Sequence, residues 1–358
     1  MTNIKITGSG CYIPTVKVTN LEFAEHLFLK ENGDKMPMNN ETIARKFKEI
    51  TGIEERRYVE DDLNTSHIAT FAAEKAILDS KVDPETLDYI IVAHNFGDVK
   101  HKAIQSDTVP SLAVRVKHHL KIKNPKCVAY DVLFGCPGWI EGVIQAQAFI
   151  KAGMAKKCLI IGAETLSRVV DLHDRDSMIY ADGAGATVIE AVENTSTDEQ
   201  SGILSHNSAS FTYEEAKYLY FGKSYNNEHC ENVRYLKMNG RKIYEFALTN
   251  VPLAMKECLD ASGEDISKLK KIIIHQANEK MDEAIVERFY KLYEAEMPHD
   301  VMPMSIRTLG NSSVATIPTL YDLIVKQDFP DHNFDTGDLI MFASVGAGMN
   351  INAIVYKI

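Results

Sequence analysis

The sequence has a single tryptophan and six cysteines with no CxxC pair among them. It also lacks any low-complexity tract and any run of the roughly 18 apolar residues that a membrane-spanning helix requires. Basic charge is not in excess either: 39 Lys and Arg against 50 Asp and Glu leave a formal net charge of −11. That balance argues against a nucleic-acid binder, which needs a basic surface to neutralise phosphates. The opening residues "MTNIKITGSGCYIP" contain no charged leader followed by an apolar stretch, so no signal peptide is expected. Cys11, Cys127, Cys136, Cys158, Cys230 and Cys258 are scattered, and reduced thiols in the cytoplasm are the expectation.

Cofactor signals are equally thin. "ITGSG" is followed by "CYIP" rather than by a helix, which rules against a dinucleotide loop. Gly183 and Gly185 in "DGAGA" fit a tight strand connection better than a phosphate cradle. His118 and His119 are adjacent and would face different sides of a helix, so no metal site is expected.

Alternation dominates what is present. "LDYIIVAHN", "CVAYDVLF", "KCLIIGAET", "GATVIEAV", "KKIIIHQAN" and "DLIMFASVG" read as buried strands. Segments such as "SHIATFAAEKAILDS" and "WIEGVIQAQAFIKAG" carry apolar residues at helical spacing between them. Long apolar strands separated by helices predict an α/β protein whose sheets are covered on both faces. The chain also repeats itself: "EKAILDSKVDPETLDYIIVAHN" resembles "KECLDASGEDISKLKKIIIHQAN" about half a chain later. Two related halves packed as one unit are therefore expected, over residues 1–195 and 196–358. The polar stretch from Glu193 to Asn232 reads as their connection plus surface insertions.

Three places carry candidate chemistry. In "DVLFGCPGWIEG", Cys136 follows a strand and precedes Pro137, a residue favoured in the first turn of a helix. The unpaired N–H groups and dipole of that helix would stabilise a thiolate there, although a packed, unreactive cysteine fits the same turn. His275 ends the apolar strand of "IIIHQAN", where an imidazole donates a hydrogen bond or moves a proton, or is simply structural. Asn311 follows a glycine in "TLGNSSVATIPTL", as a fixed amide donor or a turn former.

Taken together, "FGCPGW", "GAETLSR", "DRDSMIYADGAGATV", "HQAN", "LGNSSVATIP" and "SVGAGMNINA" resemble the thiolase-fold condensing enzymes, most closely the β-ketoacyl-ACP synthase III group. The motifs occur in the family's order from near residue 6 to the C-terminus. The resemblance implies a thiolase-like fold, with two βαβαβαββ halves about a pseudo-twofold axis in five αβαβα layers. It implies Cys136, His275 and Asn311 as the catalytic set, with backbone N–H groups of Cys136, Ala347 and Gly348 as the oxyanion hole. It further implies a homodimer, acyl carrier protein or acyl-CoA thioesters as partners, no bound cofactor, and acyl transfer followed by decarboxylative condensation.

The sequence departs from the family's pattern in two places. Lys46 stands where the fatty-acid-initiating members carry a tryptophan that stacks on the CoA adenine, and Ile50 replaces an arginine; Arg175 keeps the other half of that clamp. A carrier-bound donor is therefore expected over CoA. Val109 replaces a phenylalanine that plugs the acyl pocket of short-primer enzymes, crossing from the partner subunit, so longer acyl groups are expected to fit. Both departures would suit a branch joining two β-ketoacyl chains, such as the dialkylresorcinol-forming ketosynthases. Lys280, with Arg288 and Lys291, stands where the family docks its carrier protein. Asn278 and Trp139 complete the substrate-facing candidates, Trp139 as core or pocket wall. A non-catalytic ketosynthase-like partner subunit is the reading of another class, and retention of all three catalytic candidates argues against it.

Overall fold

The computed structural model describes residues 2–193, 200–228 and 232–358. The expected boundary at residue 195 and Cys230 lie outside them. The first half contributes β1 (Thr2–Tyr12), β2 (Val16–Thr19), β3 (Glu55–Tyr58), β4 (Tyr89–Ala93), β5 (Val128–Val132), β6 (Lys157–Thr165) and β7 (Asp182–Glu193). Its helices are α1 (Asn40–Thr51), α2 (Thr65–Ser80), α3 (Leu112–His119) and α4 (Gly138–Lys151). The second half adds β8 (Gly202–Ser210), β9 (Leu219–Gly222), β10 (Tyr235–Met238), β11 (Leu269–Ile274), β12 (Leu339–Gly346) and β13 (Asn350–Lys357). Its helices are α5 (Gly240–Ser262), α6 (Glu279–Lys291), α7 (Ile306–Leu309) and α8 (Thr316–Val325).

The strand order is β11-β12-β13-β8-β1-β7-β6-β4-β5. β8 and β1 meet only at the Ile4–Gly202 pair, so two sheets touch edge to edge. Outward from that seam the halves run in the same order, β1-β7-β6-β4 against β8-β13-β12-β11, with the same two antiparallel pairings followed by one parallel pairing. This is the duplication that the two similar segments predicted. The first half alone adds a fifth strand, β5, parallel to β4 at the open edge.

Strand side chains alternate between faces, and that alternation builds the layers. Ile90, Val92, Leu159 and Ile161 pack with Ala69, Ala72 and Ala73 of α2. Their neighbours Ile91 and Ile160 turn to the opposite face, where they join Val143 of α4, Leu320 of α8, and Ile273 and Phe342 of the second sheet. Met255 and Leu259 of α5 and Phe289 of α6 cover that second sheet from outside. Five layers result, with α4 and α8 sealed in the middle. Gly162 and Gly185 let α8 and the turn before it approach the strands: a Cβ would lie 2.2 Å from the Val314 carbonyl oxygen at Gly162 and 2.7 Å from the Thr319 nitrogen at Gly185.

The expectation for Glu193 to Asn232 is corrected here. β8 is a sheet strand paired along β13, and β9 pairs with β10. Only the start of β8 is continuously buried; its later residues alternate between the two environments, so "SHNSAS" reads as polar loop in a linear scan.

Candidate active site

The turn from β5 into α4 sets Cys136. Gly135 adopts φ 68°, a left-handed conformation that favours glycine. Its carbonyl accepts from the Gly138 nitrogen at 3.0 Å, and Pro137 caps the helix. The turn after β12 presses on the same place. A Cβ on Gly135 would lie 2.6 Å from the Ala347 nitrogen, and one on Gly346 would lie 2.4 Å from the Cys136 nitrogen. No side chain fits between the two backbones.

Cys136, His275 and Asn311 line one cavity of about 860 Å³. Strand geometry delivers His275, whose backbone nitrogen donates to the Ala343 carbonyl as β11 ends beside β12 (2.9 Å). Asn311 forms an isolated bridge with Tyr180 just before β7, its nitrogen donating to the Ile179 carbonyl (3.0 Å) and its carbonyl accepting from the Ala181 nitrogen (2.8 Å). The Asn311 side-chain oxygen accepts from the Ser313 nitrogen at 2.8 Å, so its N–H groups, rather than its oxygen, are left to face the cavity.

Ser313 is the hub that sequence reading missed. Its hydroxyl donates to Cys136 Sγ at 3.3 Å, and its hydroxyl oxygen accepts from Asn95 Nδ2 at 3.2 Å. Asn95 Nδ2 also donates to the buried Glu164 carboxylate at the end of β6. The motifs "GNSS" and "GAET" contained both Ser313 and Glu164, but a serine in a turn and a glutamate at a strand end carry no periodic signal that marks them.

Burial sets the charge states. It pushes the Cys136 thiol up to about 11, with ionised Glu164 acting in the same direction and the Ser313 hydroxyl opposing. The expectation that the helix N-terminus would leave a thiolate is thus corrected, because desolvation outweighs it in the resting site. Burial lowers His275 to about 4, partly offset by a hydrogen bond with the Ser313 backbone, so the imidazole is neutral near pH 7. Its Nδ1 is buried with no hydrogen-bond partner among the described residues. Glu164 rises to about 8, mainly through burial.

The cavity runs outward along an apolar wall of Leu166, Ile179, Leu236 and Met238, past Phe96 stacked on Phe221 (4.7 Å between centroids), to Ile43 and Phe47 of α1. Lys46, Ile50, Arg175 and Arg241 also line it. Arg175 Nε lies 3.6 Å from an Asp176 carboxylate oxygen. Asn278 lines the cavity too, while its side-chain oxygen caps α6 by accepting from the Met281 nitrogen at 3.1 Å.

Four substrate-facing or oxyanion candidates lie elsewhere. Trp139 is 1% exposed and packs against Phe342 in the middle layer (5.5 Å between ring centroids), because its helical position faces the core. Gly348 sits off the cavity lining in a left-handed turn (φ 79°), whereas Gly346 and Ala347 lie on it. Lys280 is exposed on α6, and Val109 is 84% exposed, away from this chain's cavity. Beside Lys280, Arg288 donates to the Leu248 carbonyl and Lys291 pairs with Glu287.

A doubled α/β frame with a thiol, an imidazole and a carboxamide converging on a deep acyl-sized cavity defines a thiolase-fold condensing enzyme. Comparison with known proteins narrows this. Residues 130–209 match the 3-oxoacyl-[acyl-carrier-protein] synthase III family, and residues 259–358 match its C-terminal part. The beta-ketoacyl-[acyl-carrier-protein] synthase III of Erythrobacter litoralis is 31% identical, the alignment covering 99% of this chain and 98% of that one. Among solved structures, the synthase III from Aquifex aeolicus superposes with a TM-score of 0.79 at 29% identity, covering 99% of this chain and 100% of that one. The synthase III from Thermus thermophilus does so at 0.80 and 29%, covering 99% of both. The chain belongs to the β-ketoacyl-ACP synthase III family of condensing acyltransferases.

Proposed function

We propose that the chain takes an acyl group from a thioester onto Cys136 and condenses it with a malonyl- or β-ketoacyl-type carrier-protein thioester. The observation that carries this reading is the opening of Cys136, His275 and Asn311 onto one cavity, with Ser313 hydrogen-bonded to Cys136 and to Asn311. In the first half-reaction Sγ attacks the thioester carbon, and the proton it gives up ends on the departing carrier thiol. The oxyanion formed meets the N–H groups of Cys136 and Ala347, whose backbones are pressed together. In the second, the carbon–carboxylate bond of an incoming malonyl-type thioester breaks, releasing carbon dioxide and leaving an enolate. A β-ketoacyl-type partner has no carboxylate to lose and would form its enolate by giving up an α-proton. Neutral His275 and the Asn311 amide donate to the enolate oxygen, the carbanion attacks the acyl-cysteine, and the Cys136 thiolate departs and is reprotonated. With the malonyl-type partner no base is needed to abstract a carbon-bound proton, which suits an imidazole held neutral by burial.

The apolar wall supports acyl groups longer than acetyl, and Ile50 at the mouth in place of an arginine supports a carrier-protein donor over CoA. The exposed edge of β5, with Val128 46% and Leu133 just after the strand 67% exposed, and the protruding Val109 support a homodimer that covers them. The five described cysteines are all free, which supports a reducing, cytoplasmic setting. None of the described helices is long and apolar enough to cross a membrane.

Intact-mass analysis of the protein mixed with octanoyl- and acetyl-loaded carrier protein or CoA tests the reading. The expected result is a Cys136 adduct that forms fastest from the octanoyl carrier protein and is absent in Cys136→Ala. No adduct from any donor would mean a non-catalytic partner. Light scattering on the same sample is expected to give the mass of two chains.

A further inference from the structure

We propose that Glu164 is a positioning residue for the nucleophile, acting through Asn95 and Ser313 to aim a hydroxyl proton at Cys136 Sγ. The inference rests on Cys136 being the nucleophile and adds the device that tunes it.

The direction of the chain follows from counting protons. An amide nitrogen carries two N–H groups. One from Asn95 goes to the Glu164 carboxylate and the other to Ser313 Oγ at 3.2 Å. Ser313 Oγ therefore accepts on that side, and its single proton is free to point at the sulfur, 3.3 Å away. Were Glu164 not an acceptor, Asn95 could turn its oxygen toward Ser313, and the hydroxyl would donate there instead. The carboxyl group thus decides which way Asn95 faces, and Asn95 decides where the serine proton goes.

The chain is built into rigid elements. Asn95 lies in the bend just past β4, and Glu164 stands near the end of the adjacent parallel strand β6, where it is 1% exposed. Ser313 has φ 53°, a conformation non-glycine residues rarely adopt. Residues held in such regions cluster at sites where geometry is enforced, and here the Asn311 side chain provides the hold. The titratable groups that interact electrostatically with the pair are Asp182 and Tyr180, at and before the start of β7: on top of burial, Asp182 raises Glu164, and Cys136 raises Tyr180. His275 shares the cavity.

Two opposed effects act on the sulfur: the Ser313 hydroxyl favours the thiolate, and a negative Glu164 disfavours it. Variants separate them. Glu164→Gln keeps an acceptor oxygen and removes the charge. Asn95→Leu and Ser313→Ala each break the chain at one link. The readout is the rate of Cys136 alkylation by iodoacetamide against pH, followed by peptide mass spectrometry on the full chain, with a melting curve to confirm folding. It needs no acyl substrate, so it stands or falls separately from the condensation reading.

Ser313→Ala is expected to slow alkylation near neutral pH by about tenfold, as for a lost hydrogen bond to a charged group, and to move the midpoint to higher pH. Asn95→Leu should do nearly the same, and the double variant should be no slower than Ser313→Ala alone. Glu164→Gln should move the midpoint to lower pH. Where Asn95→Leu does not fold, Asn95→Thr takes its place. Additive slowing in the double variant, a wild-type rate in the Asn95 variant, or an unmoved midpoint in Glu164→Gln would each overturn the proposal.

Discussion

The two helices sealed in the middle layer, α4 and α8, lie in corresponding places in the two halves, yet their starts carry different chemistry. The start of α4 holds a thiol, squeezed between its own backbone and the turn after β12. The approach to α8 holds a carboxamide and a serine hydroxyl, with Ser313 in a left-handed conformation. Duplication brings two helix starts into one cavity, and in the proposed reaction that meeting lets one half supply the nucleophile while the other supplies donors. A single half would have neither the partner groups nor the enclosure.

The largest effect expected from breaking this division is in Cys136→Ala, which should abolish both the acyl adduct and condensation, read by mass spectrometry. His275→Ala and Asn311→Ala should sharpen the contrast. Each is expected to lower condensation by about 10²–10³-fold, as for loss of a developing-oxyanion donor, while Cys136 still loads. Equal loss of both half-reactions would show that the second half does more than hold the enolate.

Packing around the two helices comes next. Trp139→Ala should cost about 3–5 kcal/mol of stability through the cavity it leaves against Phe342, and Trp139→Phe should leave the acyl-chain preference unchanged. Gly162→Ala drives a Cβ toward the Val314 carbonyl ahead of α8 and should cost about 1–3 kcal/mol as overpacking. Chemical denaturation measures both, and a Trp139 variant with altered chain preference would return that ring to the pocket wall.

The smallest effect is on pH dependence. Glu164 is raised from 4.5 to about 8, so the folded state holds its proton more tightly than the unfolded chain. Its contribution is full below about pH 4.5 and is lost as pH rises through 8. His275, lowered from 6.5 to about 4, acts oppositely: its contribution is present above 6.5 and is lost as pH falls toward 4. Melting temperatures taken from neutral to mildly alkaline pH should therefore decline less steeply in Glu164→Gln than in wild type. Parallel curves would mean that Glu164 is ionised throughout.

Strand and helix order was legible because long apolar runs and helical spacing are local patterns, and the internal repeat exposed the duplication. The tight turn at Cys136 was legible for a local reason too, since glycine and proline crowd a cysteine only where a backbone must bend tightly. Other features were not. β8 hid because its partner β13 lies far along the chain, and β8's outer residues are polar. Trp139 could not be placed, since helical spacing gives a face without saying what the face meets. The pH behaviour of Cys136 was misjudged because burial depends on everything folded around it.

Residue chemistry and local spacing alone determined the alternating α/β order and the doubling of the fold, and the resemblance of the motifs to a known family marked the thiol, imidazole and amide. Only the tertiary structure decided that Ser313 joins the thiol to the amide, that Glu164 and Asn95 stand behind it, and that desolvation holds the thiol protonated. Hydrogen-bond partners 69 to 218 residues apart and the water excluded between them come into being only when the two halves close on each other.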